Sequence, residues 1–67
     1  MIRNAKNLKL KDKLVQYEKT YADIANEMNI SRQSFLEKIN LYRYHSFTFC
    51  EKFYLAHRFG MRVEEIE

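Results

Sequence analysis

Apolar residues return every three or four positions along most of this chain, the spacing of one face of an α-helix. Leu10, Leu14 and Tyr17 form the first stripe, with Val15 beside it, and predict a helix from a cap at Asn7 to about Glu18. Thr20 restarts the chain, and Asp23 three residues on completes a capping-box pattern, although Glu or Gln is the usual partner. A second helix is predicted over Tyr21 to Met28, with Ile24, Ala25 and Met28 on one face and Asp23, Asn26 and Glu27 pointing away. Asn29 tolerates the left-handed conformation that ends a helix. Ile30 is apolar in the middle of the turn and is expected to plug the core. Ser31 caps a third helix, about Arg32 to Asn40, whose inward side is Phe35 and Ile39.

The next stretch, "LYRYHS" from Leu41 to Ser46, has no glycine and reads as an irregular connection. Thr48 opens a fourth helix and forms a second capping box with Glu51. Phe49, Phe53, Ala56 and Phe59 are expected along its buried face, with Leu55 adjoining, and Gly60 stands where a helix C-cap wants a left-handed residue. A short final helix, "RVEEIE", puts Val63 and Ile66 three apart, and its Glu64 and Glu65 suit the dipole of the first turn. The pattern therefore predicts an all-α fold, five helices around one core.

Composition narrows this further. The chain has 67 residues, no proline and one glycine, which makes it a single domain, 1–67, and argues against a multi-turn β architecture. A chain this small buries only about 60% of its unfolded surface, so its many aromatic rings are expected to fill the core. No window approaches the roughly 20 apolar residues of a membrane span. The start, "MIRNAKNLKLKDKL", interleaves Lys with Leu and does not read as a secretory signal. The single cysteine, Cys50, allows no internal disulfide and fits a reducing, cytoplasmic location; on the fourth helix it is expected as a small packing residue.

Net charge is +3, unevenly spread. Residues 1–19 carry Arg3, Lys6, Lys9, Lys11, Lys13 and Lys19 against Asp12 and Glu18, whereas the end carries Arg62 against Glu64, Glu65 and Glu67. A basic front suits a polyanion partner. An ordinary solvated lysine-rich helix explains the same charges equally well. Residues 1–6 read either as a basic arm for a minor groove or as a disordered tail.

The joint between the second and third helices carries the functional signal. A three-residue link forces a steep crossing and leaves one face of the later helix uncovered. A helix-turn-helix needs a small residue at the crossing (Ala25), a left-handed turn residue four positions on (Asn29), a buried aliphatic (Ile30), a cap that can face a phosphate (Ser31) and an inward anchor (Phe35). All five stand at the required offsets.

With those residues in view, the stretch 20–66 resembles the phage repressor and Cro family, the lambda-repressor-like or XRE-type fold. "TYADIANEMNISRQSF" follows the pattern T-x-x-x-[LI]-A-x-x-[LM]-x-[IV]-S-x-x-[ST]-[IF], "SRQSFLEKIN" is similar to a phage branch reading S-x-x-[ST]-[FL]-S-x-K-L-N-G, and "SFTFCEKFYLAHRFGMRVEEI" is similar to the fourth and fifth helices. The departures are Lys19 at a usually apolar place, Asn29 and Leu41 where glycine is common, and Glu37 on the proposed reading helix. The two motif helices are slightly acidic, so phosphate neutralisation is expected from the first helix, Arg43 and His45.

The resemblance implies a Cro-like transcriptional regulator from a phage or mobile element, reading a double-stranded DNA operator as a homodimer. A chain this short leaves no room for the separate oligomerisation domain of a full-length repressor, which points to a Cro-type partner or a repressor fragment. Arg32 and Gln33 are the expected base readers, since Arg pairs with guanine and Gln with adenine. Leu36 and Glu37 suit a thymine methyl and a cytosine amine, with Leu36 equally apt as an interface residue. Ser31, Ser34, Lys38, Asn40 and Arg43 suit backbone phosphates, which position without specifying. Tyr21 suits a phosphate or packing; Tyr42 and Tyr44 suit the core better than a phosphate. Tyr54, Arg58, Met61, Val63 and Ile66 are the dimer candidates.

His45, His57 and Cys50 lack paired ligand spacings, so no metal is expected. No Ser/His/Asp set, glycine-rich phosphate loop or isolated carboxylate pair suggests an enzyme, and no cofactor is expected. The competing reading is a small interaction module of the same fold that grips a phage repressor or a host transcription protein, such as a polymerase subunit, with little DNA contact of its own. The near-neutral reading helix and the many aromatics motivate it.

Overall fold

The computed structural model describes residues 6–67, and every described element is helical. Helix α1 spans Leu8–Gln16, α2 Tyr21–Glu27, α3 Arg32–Ile39 and α4 Phe49–Phe59; 3-10 turns cover Tyr42–Tyr44 and Val63–Glu65. The fifth helix expected at "RVEEIE" is thus a single 3-10 turn, and the connection after α3 is irregular as expected, its one turn kinked at a left-handed Arg43. The basic arm expected over 1–6 lies outside the described residues except for Lys6, which is exposed.

The helix boundaries have local causes. At α2, the Asp23 N–H donates to Thr20 Oγ1 at 3.1 Å while the Thr20 N–H donates to Asp23 Oδ2 at 3.0 Å, so both halves of the capping box are made. Thr48 and Glu51 do the same for α4, at 3.2 and 2.8 Å. Ser31 Oγ accepts the Ser34 N–H at 3.0 Å and starts α3. Three helices stop in one manner. Glu18 (φ 56°), Asn29 (φ 62°) and Gly60 (φ 65°) each turn left-handed, and the following N–H of Lys19, Ile30 or Met61 reaches back to Leu14, Ala25 or Ala56. That bond satisfies a carbonyl that the helix end would leave orphaned. Only one of the three positions is glycine.

The core contains Leu10 and Leu14 from α1, Ile24 and Ala25 from α2, Phe35 and Ile39 from α3, Leu55, Ala56 and Phe59 from α4, and Phe47 and Ile66 from the segments flanking α4. Tyr21, Met28, Ile30, Met61 and Val63 pack around it, so Ile30 plugs the turn as its apolar character requires. Phe35 is the hub: its ring lies 5.6 Å from Tyr21 and 5.4 Å from Phe47, while Tyr17 stands edge-on to Phe59 at 5.1 Å.

Several expectations fail here. Asn7 stands at the N-cap of α1 without capping it: its backbone is left-handed and its side chain is buried. Asn7 Nδ2 donates to Ile39 O at 2.8 Å, and Asn7 Oδ1 accepts the Glu67 N–H at 2.7 Å. One amide therefore ties the start of α1 to the end of α3 and to the C-terminal segment, and neutralises a terminal helical carbonyl in the process. Phe49 and Phe53, expected inward, are 65% and 54% exposed and stack edge-on upon each other at 4.7 Å. The buried arc of α4 is centred on Leu55 and Phe59, and at about 100° per residue Phe49 and Phe53 fall beyond its edge. Tyr42 and Tyr44 are exposed, on a connection whose path runs through three left-handed residues, Leu41 (φ 53°), Arg43 (φ 50°) and Tyr44 (φ 70°). Cys50 is exposed also, on the outer side of α4.

Candidate nucleic-acid interface

α2 and α3 pack against each other through a turn of four residues, 28–31, with Ala25 (1% exposed) on the inner side of α2 and Phe35 (0%) on that of α3. Asn29 supplies the left-handed turn, Ile30 the plug and Ser31 the cap. The side of α3 turned from the core carries Arg32 and Gln33, both exposed, then Leu36, Glu37 and Asn40, all half-buried. Among the described residues, Arg32 has no carboxylate within ion-pair distance, which leaves its guanidinium available to an outside acceptor. Gln33 Nε2 donates to Glu37 Oε2 at 3.1 Å, and His45 Nε2 stands 3.9 Å from Glu37 Oε1. The negative charge expected to oppose DNA therefore lies between the Gln33 amide and the His45 ring.

The residues proposed for backbone contact are not equally placed. Arg43 is exposed and lies over the Tyr42 ring at 5.2 Å. Ser34 is half-buried, and Tyr21 rests on Phe35, which restricts but does not enclose it. Ser31 is exposed, with its hydroxyl engaged by the Ser34 N–H. Lys38 is otherwise committed: its ammonium donates to both Glu51 oxygens, at 2.8 and 3.0 Å, with the two side chains only 21% and 18% exposed. This is a bridge between α3 and α4, and a free phosphate-binding lysine is not what the position offers. Glu51 is pushed up by burial, but Lys38 and the Thr48 cap together hold its carboxyl below the usual value of 4.5. Asn40 Oδ1 accepts from Lys11 Nζ at 2.8 Å, which brings a basic residue of α1 beside the end of α3. Partial burial lowers the pKa of Lys11.

The expected dimer residues are unequally placed as well. Ile66 is 2% exposed and belongs to the chain's own core, and Met61 and Val63 pack against that core. Tyr54 Oη donates to Glu27 Oε1 at 2.8 Å, and Arg58 Nε donates to the same oxygen at 3.2 Å. Those bonds fasten the end of α2 to α4 and hold the Glu27 carboxyl below its ordinary range. What α4 turns outward is Phe49 and Phe53, which the sequence pattern assigned to the interior.

Among the described residues, no group of three or more His, Cys, Asp or Glu is arranged to hold a metal ion, and no helix is long and apolar enough to cross a membrane. Compared with protein-family models, with curated proteins and with solved structures, the chain has no significant match in any of the three.

Proposed function

We propose that this chain is a DNA-binding transcriptional regulator of the repressor/Cro type, cytoplasmic and of phage or mobile-element origin, in which α2 and α3 act as a helix-turn-helix. The observation that carries the reading is the outward side of α3. Arg32 and Gln33 stand exposed at the start of a helix whose opposite side, Phe35 and Ile39, is fully buried. An eight-residue helix is about 12 Å long, a length that the major groove accepts. Arg32 and Gln33 then read base edges, while Arg43, Ser34 and Asn40 hold the flanking backbone. Two copies bind adjacent half-sites as a homodimer.

The test is selection of bound sites from random duplex DNA, followed by titration of the recovered site at several salt concentrations. A palindromic motif bound less tightly as salt rises supports the reading. Failure to retain any duplex at any salt refutes it.

A second reading, a protein-interaction module of the same fold, is favoured by one observation: Phe49, Phe53 and Tyr44 present exposed rings while Lys38 is withdrawn into an ion pair. Exposed aromatic surface is the currency of protein interfaces more than of phosphate contacts. Retention of a repressor or polymerase subunit, with no duplex retained, would decide for it.

A further inference from the structure

Beside the exposed start of α3 lies a cleft of about 260 Å³, lined by Gln33, Leu36, Glu37, Asn40 and Tyr42. Its apolar members are Leu36, half-buried on α3, and the ring of Tyr42, which comes from the connection that follows. We propose that this Leu36–Tyr42 cleft receives the 5-methyl group of a thymine in the bound duplex. The proposal rests on the DNA-binding reading above and adds to it a specificity contact from outside the α2–α3 pair.

Three observations support it. Thymine is the base that offers an apolar group to the major groove, and beside it the paired adenine offers the N6 donor and N7 acceptor. The cleft matches both. Leu36 and Tyr42 supply apolar walls. Gln33 donates its Nε2 to Glu37, which leaves its Oε1 free to accept from adenine N6. Second, the backbone that carries Tyr42 is strained: Leu41, Arg43 and Tyr44 are all non-glycine residues in the left-handed region, with φ of 53°, 50° and 70°. L-residues resist that conformation, and such strain gathers at functional segments. Its effect here is to hold Tyr42 against the outward side of α3 and away from the core. Third, the Arg43 guanidinium lies 5.2 Å from the Tyr42 ring centre, so the wall of the cleft comes with a cation suited to the neighbouring phosphate.

Uracil differs from thymine by the methyl group alone, which makes the experiment direct. In the duplex recovered from random DNA, each thymine is replaced in turn by uracil, and affinity is read by fluorescence anisotropy at one salt concentration. One position per bound protomer loses about fourfold in affinity, the effect of leaving one methyl in water. Tyr42→Ala and Leu36→Ala bind the thymine duplex more weakly and no longer distinguish it from the uracil duplex. Arg43→Ala weakens both duplexes equally. Tyr42 is half exposed and outside the core, so Tyr42→Ala carries the test even if Leu36→Ala unfolds. Tight binding with no uracil penalty at any position overturns the proposal and leaves the DNA-binding reading standing. A penalty that persists undiminished in Tyr42→Ala overturns it as well. Absence of duplex binding by the wild-type chain removes both together.

Discussion

Gly60 adopts φ +65°, and a Cβ added there would meet nothing within 4 Å. Gly60→Ala therefore tests backbone conformation alone, and urea denaturation should register a loss of about 1 kcal/mol. Asn7 is a larger liability. Replacing it with alanine strands Ile39 O and the Glu67 N–H, each buried or partly buried, and the expected loss is about 2–4 kcal/mol from the two unpaired groups. A variant that unfolds at the wild-type urea midpoint would disprove that role. The sequence marks Asn7 only as a residue type that caps helices. Its partners lie 32 and 60 positions away, and no local spacing reveals a bond of that range. Arg32 is the opposite case, legible because a charged residue directly after a capping serine has nowhere to go but outward. Arg32→Ala should cost about 1–3 kcal/mol on its preferred duplex and relax base choice at one position, whereas Arg43→Ala should weaken all duplexes alike.

The capping boxes at Thr20 and Thr48 were readable as plain strings, because a cap and its partner are three residues apart and the chemistry is local. Thr48→Ala should lower stability by about 1 kcal/mol, measured by thermal or urea unfolding, and shorten α4 at its start. The orientation of α4 was not readable in the same way. Six of its eleven residues are Phe, Tyr, Leu or Ala, so apolar positions surround most of the helix and two stripes compete. Packing decides between them. Leu55, Ala56 and Phe59 meet the core, Phe47 joins them there against Phe35, and Phe49 and Phe53 are left to solvent. Phe47 directly precedes the Thr48 cap, a position where apolar residues often pack back onto the fold, and that was the available signal. The last segment failed for another reason: three residues, Val63–Glu65, are too few to close more than one 3-10 turn before Ile66 must enter the core.

The described residues measure 29 × 22 × 21 Å, small enough that the start of α1, the core and the C-terminal segment are tied together through single residues such as Asn7. Asp23, Glu27, Glu51 and Glu65 all have carboxyls held below their ordinary values of 3.8 or 4.5, through capping bonds, Arg58, Lys38 and Lys9. A carboxyl whose pKa is lower folded than unfolded adds stability above its unfolded value and loses it as pH falls through the folded one. Urea midpoints should therefore hold steady from neutral pH to about 5 and decline as the pH drops further. A midpoint that rises on acidification would contradict these bonds. The central claim is that the exposed side of α3 enters a groove of duplex DNA. Its most direct test is binding of a site selected from random DNA, measured across a salt series for the wild-type chain and Arg32→Ala. The account predicts that log affinity falls with log salt at a slope of about −3 or steeper, one unit for each phosphate neutralised, and that Arg32→Ala lowers affinity while leaving the slope nearly unchanged. Wild-type and Arg32→Ala chains that bind equally, or a chain that retains no duplex at any salt, would contradict it.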